Sequence, residues 1–184
     1  MQIKSLALAA TLLAAAAPAF AADYVQQSGS SLTFATKYQG EVFAGSLPGF
    51  TARLSFDPAQ LATSKLDVVI PMAGANTKNA ERDDTLKGVD FFSIAKFPQA
   101  RFTATKFRSL GGNNYAADGS LSLRGVAKPV TLNFTWTPGD KPVLAGKATV
   151  KRLDFNVGGG DWADTSIIPN EVAVSTKVVF AAAK

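Results

Sequence analysis

Alternation between apolar and polar residues is the feature that most constrains the fold of this chain. The segment 130–136 shows it most clearly, because every second residue is large and apolar and each residue between is Thr or Asn. Consecutive side chains of a β-strand point to opposite faces, so this period of two predicts a strand with one buried and one solvated face. Seven further segments alternate in the same way: 32–38, 53–57, 66–70, 100–105, 120–124, 144–151 and 172–180.

Turn-forming residues separate these segments. Gly111-Gly112-Asn113-Asn114 and Pro138-Gly139-Asp140 are the best candidates for hairpin turns, since Gly, Asn and Asp tolerate the backbone conformations that tight turns need. About eight strands at short spacing predict an all-β fold, either an antiparallel sandwich or a barrel.

One region, 76–96, does not alternate. Asn79 is a suitable N-cap, the acids that follow it suit the positive end of a helix dipole, and Gly88 is a suitable stop. These signals predict a single short helical segment near 79–95, packed across the sheet or over the mouth of a barrel.

The first 21 residues have the layout of a secretory signal peptide. Lys4 precedes the apolar run 5–17, Pro18 ends that run, and Ala19-Phe20-Ala21 forms a small-x-small cleavage site. The run is shorter than the roughly 20 apolar residues of a membrane-spanning helix. We therefore expect cleavage after Ala21, a mature domain over 22–184, and a periplasmic location.

The composition excludes several kinds of chemistry. The sequence has no His and no Cys, so a Ser–His–Asp triad, a catalytic thiolate and a zinc–thiolate site are impossible. A carboxylate-dependent isomerase or cyclase is the remaining enzymatic alternative, with Glu81, Asp84 and Asp154 as its candidates. None of the three lies within an apolar strand face, where burial would raise its pKa. We expect no catalytic residue and no metal site.

The charge pattern does not favour nucleic acid as a partner. The net charge is +5, and the only close basic pairs are Lys106/Arg108 and Lys151/Arg152, which we interpret as solvated strand faces. The run Gly158-Gly159-Gly160 lacks the Lys-Ser/Thr of a phosphate-binding loop, so it predicts a turn.

Three blocks of sequence resemble the YceI-like family. The first is 82–92, followed by Phe97-Pro98 and Phe102; the second is 119–130; the third is 152–158. The resemblance covers essentially the whole mature chain. It implies a lipocalin-like antiparallel β-barrel of about eight strands, with a long internal pocket for isoprenoid chains, quinones or fatty amides. It also implies a periplasmic protein, and it leaves a homodimer open, as some members form dimers.

The apolar strand faces and the aromatic residues near the helix provide the candidate ligand-binding residues. Small residues such as Ala100, Ala104, Gly146 and Ala148 face large ones, which could leave a channel instead of a solid core. We expect these residues to line the pocket: Phe34, Phe56, Val68, Phe91, Phe92, Phe102, Leu121, Leu123, Leu132, Phe134, Trp136, Phe155, Trp162 and Val174.

Two of these candidates have a second interpretation. Phe91 and Phe92 either line or gate the pocket or anchor the helix to the sheet, and Trp162 would cap one end of the barrel. Arg82 and Asp84 are interpreted as residues that hold the helical segment in place.

The sequence therefore predicts a carrier of a small apolar ligand, with no cofactor other than a non-covalently bound isoprenoid, quinone or other lipid. The alternative is an interaction or stress-response module with an incidental pocket, for which a membrane redox protein is a candidate partner. A transmembrane β-barrel is disfavoured by the helix and by Lys and Arg residues near strand middles, so no stable membrane insertion is expected.

Overall fold

The computed structural model describes residues 22–183, so the predicted signal peptide lies outside the described residues. Over these described residues the fold consists of ten strands and one α-helix, with short 3₁₀ turns between some of them. The elements are β1 Ala22–Gln26, β2 Ser31–Tyr38, β3 Glu41–Ser46, β4 Thr51–Phe56, β5 Lys65–Pro71, α1 Ala80–Lys87, β6 Gln99–Gly111, β7 Asn114–Leu123, β8 Val126–Thr137, β9 Val143–Lys151 and β10 Glu171–Ala182.

Eight antiparallel strands close into a barrel. The ring runs β1-β4-β5-β6-β7-β8-β9-β10 and returns to β1. Tyr24 of β1 closes it, because it pairs with Leu54 of β4 on one side and with Ala182 of β10 on the other. The predicted eight-stranded barrel with a single helix is therefore confirmed.

One end of the barrel is splayed. The strand β2 continues the path of β1 along β10, and β3 pairs with β2, so these two strands form a hairpin beside the ring. The outer edge of β3 meets the rest of the chain through a bridge between Ser46 and Asn76. The segment that contains α1 covers this end of the barrel, since Arg82 lies over Phe43 of β3 and Leu86 faces the interior. We call this end the open end.

The helix begins as predicted and is shorter than predicted. The side chain of Asn79 accepts a hydrogen bond from the backbone N–H of Arg82 at 2.9 Å, as an N-cap does. The helix ends at Lys87, and the chain then turns back, with the Phe92 N–H donating to the Leu86 carbonyl. Within residues 22–183 no helix is long and apolar enough to cross a membrane.

The strands differ from the sequence prediction in two respects. Neither β1 nor β3 was predicted, since the first lies in a polar stretch and the second is short and contains Gly45. Both β6 and β7 are longer than predicted, because a register shift between Ala104 and Lys106 changes the phase of the inward positions. Phe107 is thereby directed inward, out of step with Phe102 and Ala104.

Candidate ligand-binding cavity

The interior of the barrel is divided along its axis into a cavity and a solid aromatic core. The cavity lies toward the open end and has a volume of about 210 Å³. Its wall is formed by inward side chains of β2, β3 and β5 to β10, of the covering segment and of the loops after β3 and β9, and all of them are apolar except Thr36, Arg152 and Thr176.

Nine of the predicted site residues lie on this wall. They come from six different strands and from the segment after α1, which shows that the inward strand faces were assigned to the correct side. These residues are Phe34, Val68, Phe91, Phe92, Phe102, Leu121, Leu123, Leu132 and Val174. Whether they bind a ligand stays a prediction.

Three predicted residues, Phe56, Phe134 and Trp136, lie in the aromatic core at the opposite, closed end. The ring of Phe56 is 5.1 Å from that of Tyr115, 5.2 Å from that of Trp136 and 5.7 Å from that of Phe134, all in edge-to-face contact. These side chains point inward, as predicted, but they fill the barrel instead of lining its cavity.

Two further predicted residues, Phe155 and Trp162, also lie outside the wall. Phe155 is 1 % exposed within a 3₁₀ turn after β9 and packs into the protein core. The ring of Trp162 is 5.4 Å from that of Phe91, so Trp162 packs against a residue of the cavity wall. Phe91 itself lines the cavity, as the first of its two predicted interpretations required, and packs on Trp162.

Glycines on the inner face let large side chains lie flat against the wall. The ring of Phe34 lies over Gly45, its cross-strand partner. A Cβ atom at Gly119 would be 2.6 Å from the ring of Phe102, which is closer than real Cβ contacts allow. Because these rings occupy the space that larger side chains at Gly45 and Gly119 would take, they lie close to the wall and leave room for the cavity.

The segment that covers the cavity is held in place by a small cluster of polar residues on α1 and just before it. A carboxylate oxygen of Asp83 accepts hydrogen bonds from the backbone N–H and the hydroxyl of Thr77, at 2.7 and 2.6 Å. These bonds lower the pKa of Asp83. Arg82 donates to the Thr77 hydroxyl at 2.9 Å, and its guanidinium lies 4.4 Å from the centre of the Phe43 ring.

The expectation that Arg152 is solvated is wrong. Its side chain is buried, at 4 % exposure, and no carboxylate among residues 22–183 lies within 4.0 Å of it. Burial lowers the pKa of its guanidinium. All of its donors bind backbone carbonyls of the loop before β10: Pro169 at 3.1 Å, Val157 at 3.1 Å, Gly158 at 2.5 Å, Trp162 at 2.8 Å and Ile168 at 2.7 Å.

The candidate catalytic carboxylates do not meet at the cavity. Glu81, Asp84 and Asp154 are exposed, and none of them is part of its wall. Asp84 forms an exposed ion pair with Lys87 at 3.4 Å. The turn predicted at Gly158-Gly159-Gly160 is present and leads into a 3₁₀ turn at Gly160–Trp162.

Comparison with known proteins shows the family to which this chain belongs. Residues 24–180 match the family described as the YceI-like domain. The chain belongs to the YceI-like family. A UPF0312 protein of Yersinia pestis is 36 % identical over 158 residues, which cover 79 % of this chain and 81 % of the relative. A UPF0312 protein of Pseudomonas savastanoi is 32 % identical, with 85 % and 88 % covered.

Solved structures share the YceI-like fold. BcnA of Burkholderia cenocepacia superimposes with a TM-score of 0.80 at 31 % identity, covering 84 % of this chain and 98 % of BcnA. A polyisoprenoid-binding domain from Saccharophagus degradans gives a TM-score of 0.68 at 16 % identity, with 88 % and 99 % covered. The second likeness is one of fold alone.

Proposed function

We propose that this protein is a periplasmic carrier that holds a long-chain apolar ligand inside its barrel. The observation that carries the proposal is the almost entirely apolar wall of the cavity, which contains only three polar side chains. A polyisoprenoid, an isoprenoid quinone or a fatty amide has the slender hydrocarbon chain that such a wall suits. The predicted signal peptide supports the periplasmic location.

The energetics favour a hydrocarbon chain. Burying each CH₂ group contributes roughly 0.8 kcal/mol, and a five-carbon prenyl unit therefore contributes on the order of 3–4 kcal/mol before the costs of ordering it. A few such units suffice for micromolar affinity without an ionic contact to a head group. The barrel would shield the chain from water during its passage through an aqueous compartment.

Binding is better supported than catalysis. The name of the fold neighbour from Saccharophagus degradans describes a polyisoprenoid-binding domain, and the candidate carboxylates of this chain lie in solvent. A homodimer, which the resemblance leaves open, stays a prediction, and so does a membrane redox partner, which belongs to the alternative of an interaction module.

Two alanines on β9 provide a test with a matched control. Ala148 lines the cavity, whereas Ala145 on the same strand is exposed. We expect Ala148→Phe to fill part of the cavity and to abolish co-purification of a long-chain lipid, measured by native mass spectrometry and organic extraction of the exported protein. Ala145→Phe should retain the lipid.

Thermal unfolding of both variants checks that they fold. The proposal is wrong if the wild-type protein is consistently empty and also fails to take up long-chain quinones. It is also wrong if Ala148→Phe, while folded, carries as much lipid as Ala145→Phe.

A further inference from the structure

The cavity wall contains a buried hydroxyl group that lacks a hydrogen-bond partner. Among residues 22–183, four buried side-chain atoms have no such partner, and only the Thr36 hydroxyl oxygen belongs to the cavity wall. The other wall hydroxyl, that of Thr176, donates to the Ser31 carbonyl at 3.0 Å. A buried polar group without a partner costs free energy, so such a group in a folded protein calls for an explanation.

Thr36 occupies a position that is otherwise apolar. It follows Leu32 and Phe34 on the inward face of β2, and its cross-strand neighbour on β3 is Phe43. It lies two residues before the end of β2 at the open end of the barrel. A ligand whose head group reached Thr36 would therefore extend its chain past Phe34 and Leu32 toward the aromatic core.

The one charged residue of the wall, Arg152, has no donor left for an anionic head group. Its guanidinium nitrogens all donate to backbone carbonyls. A phosphate or carboxylate would need several donors to replace its hydration, and the side chains of this wall offer it the single hydroxyl of Thr36. An uncharged head group needs only one partner.

We infer that Thr36 determines head-group specificity, by hydrogen bonding an uncharged polar head group such as a hydroxyl, carbonyl or amide. The inference rests on the proposed carrier function and adds the chemical class of the ligand's polar end. The Thr36 hydroxyl both donates and accepts, so it matches all three groups. The apolar wall supplies most of the affinity, and Thr36 selects among ligands of equal chain length.

The test compares cetyl alcohol, hexadecane and palmitate, three probes with similar chains and different ends. Their affinities are measured by displacement of a fluorescent apolar dye from the wild-type protein and from Thr36→Val, which removes the hydroxyl and nearly preserves the shape. We expect Thr36→Val to weaken cetyl alcohol binding by about fivefold or more, since the loss of one partner leaves the alcohol unpaired. Hexadecane binding should not weaken.

Two further variants separate specificity from general damage. Thr36→Ser keeps the hydroxyl and should keep the affinity for cetyl alcohol. Thr176→Val removes a wall hydroxyl that is already bonded, and it should not change the ratio of alcohol to hexadecane affinity. In the ligand-free protein, Thr36→Val should raise Tm by roughly 2–4 °C, because it removes an unpaired buried group, while Thr176→Val should not.

Three results of these measurements would contradict the inference or the carrier proposal. If Thr36→Val weakens the binding of hexadecane and cetyl alcohol equally, or does not raise Tm, Thr36 is structural and the inference is wrong. If palmitate binds more tightly than cetyl alcohol and depends on Thr36, the head group is anionic and the inference is wrong. If the wild-type protein binds none of the probes, the carrier proposal itself fails.

Discussion

Arg152 holds the long loop between β9 and β10 through contacts that other residue types cannot supply. We expect Arg152→Met to lower the free energy of unfolding by about 3 kcal/mol or more, because it leaves several buried carbonyl oxygens without donors. Urea unfolding, followed by tryptophan fluorescence, measures the change. Arg152→Lys should recover little of it, since an ammonium group has fewer donors and cannot reproduce the planar fork.

Arg53 provides the matched control, because it is an exposed arginine on β4. Arg53→Met should change the stability by less than about 0.5 kcal/mol. Equal losses for the two variants would mean that the carbonyl contacts of Arg152 contribute nothing specific.

The burial of Arg152 could not be predicted from its neighbours in sequence. It follows Lys151 at the end of an alternating strand, and such a position is usually solvated. Its environment is created by residues 157–169, which return over it, and no local periodicity reveals that return. Thr36, by contrast, did leave a signal: it is a polar residue at an inward position of an alternating strand.

At the scale of elements, Asp118 links three neighbouring strands. It lies on β7, accepts from Arg108 on β6 at 2.7 Å, and accepts from the Thr131 hydroxyl on β8 at 2.7 Å. These hydrogen bonds, first from Arg108 and then from Thr131, hold the pKa of Asp118 at about 2. A carboxyl whose pKa is lower in the folded than in the unfolded protein stabilises the fold while it is ionised.

Because folding lowers the pKa of Asp118, the direction of the expected pH dependence is determined. The contribution of Asp118 is complete above pH 4, near the unfolded pKa, and it is lost as the pH falls toward 2. Since its side chain is about one third exposed, we expect less than about 1 kcal/mol. Urea midpoints between pH 2 and pH 5 should fall less steeply in Asp118→Asn than in wild type, whereas Asp140→Asn, in an exposed turn, should keep the wild-type slope.

A wild-type slope in Asp118→Asn would show that this three-strand link does not contribute to acid stability.

The strands differ in how well the sequence predicted their bounds. Strongly alternating strands such as β9 were predicted nearly to their ends, because alternation is local, whereas β8 begins four residues before its predicted start. The strands β1 and β3 were missed, because both carry little alternation of their own. The partners of β1, which are β4 and β10, also lie far along the chain, so no local signal marks their pairing.

At the scale of the whole molecule, the sequence predicted which side chains point inward but not their height along the barrel axis. Phe102 and Phe134 both alternate with polar residues, yet one lines the cavity and the other lies in the aromatic core. Height depends on strand tilt and on the register shift in β6, which are properties of the closed sheet. The division into cavity and core therefore required the three-dimensional structure.

That division predicts how affinity depends on ligand length. A chain that enters from the open end gains burial with each prenyl unit until its tip meets the aromatic core around Phe56 and Trp136. We expect affinity to increase by about tenfold or more per unit along the series prenol, geraniol, farnesol and geranylgeraniol, because part of the gross gain of 3–4 kcal/mol is lost to ordering. Once the cavity is full, affinity should level off, since further units would remain in water. Isothermal titration or dye displacement measures the series at constant head group. Binding of prenol as tight as that of geranylgeraniol would mean that the head group, and not the apolar wall, provides the affinity.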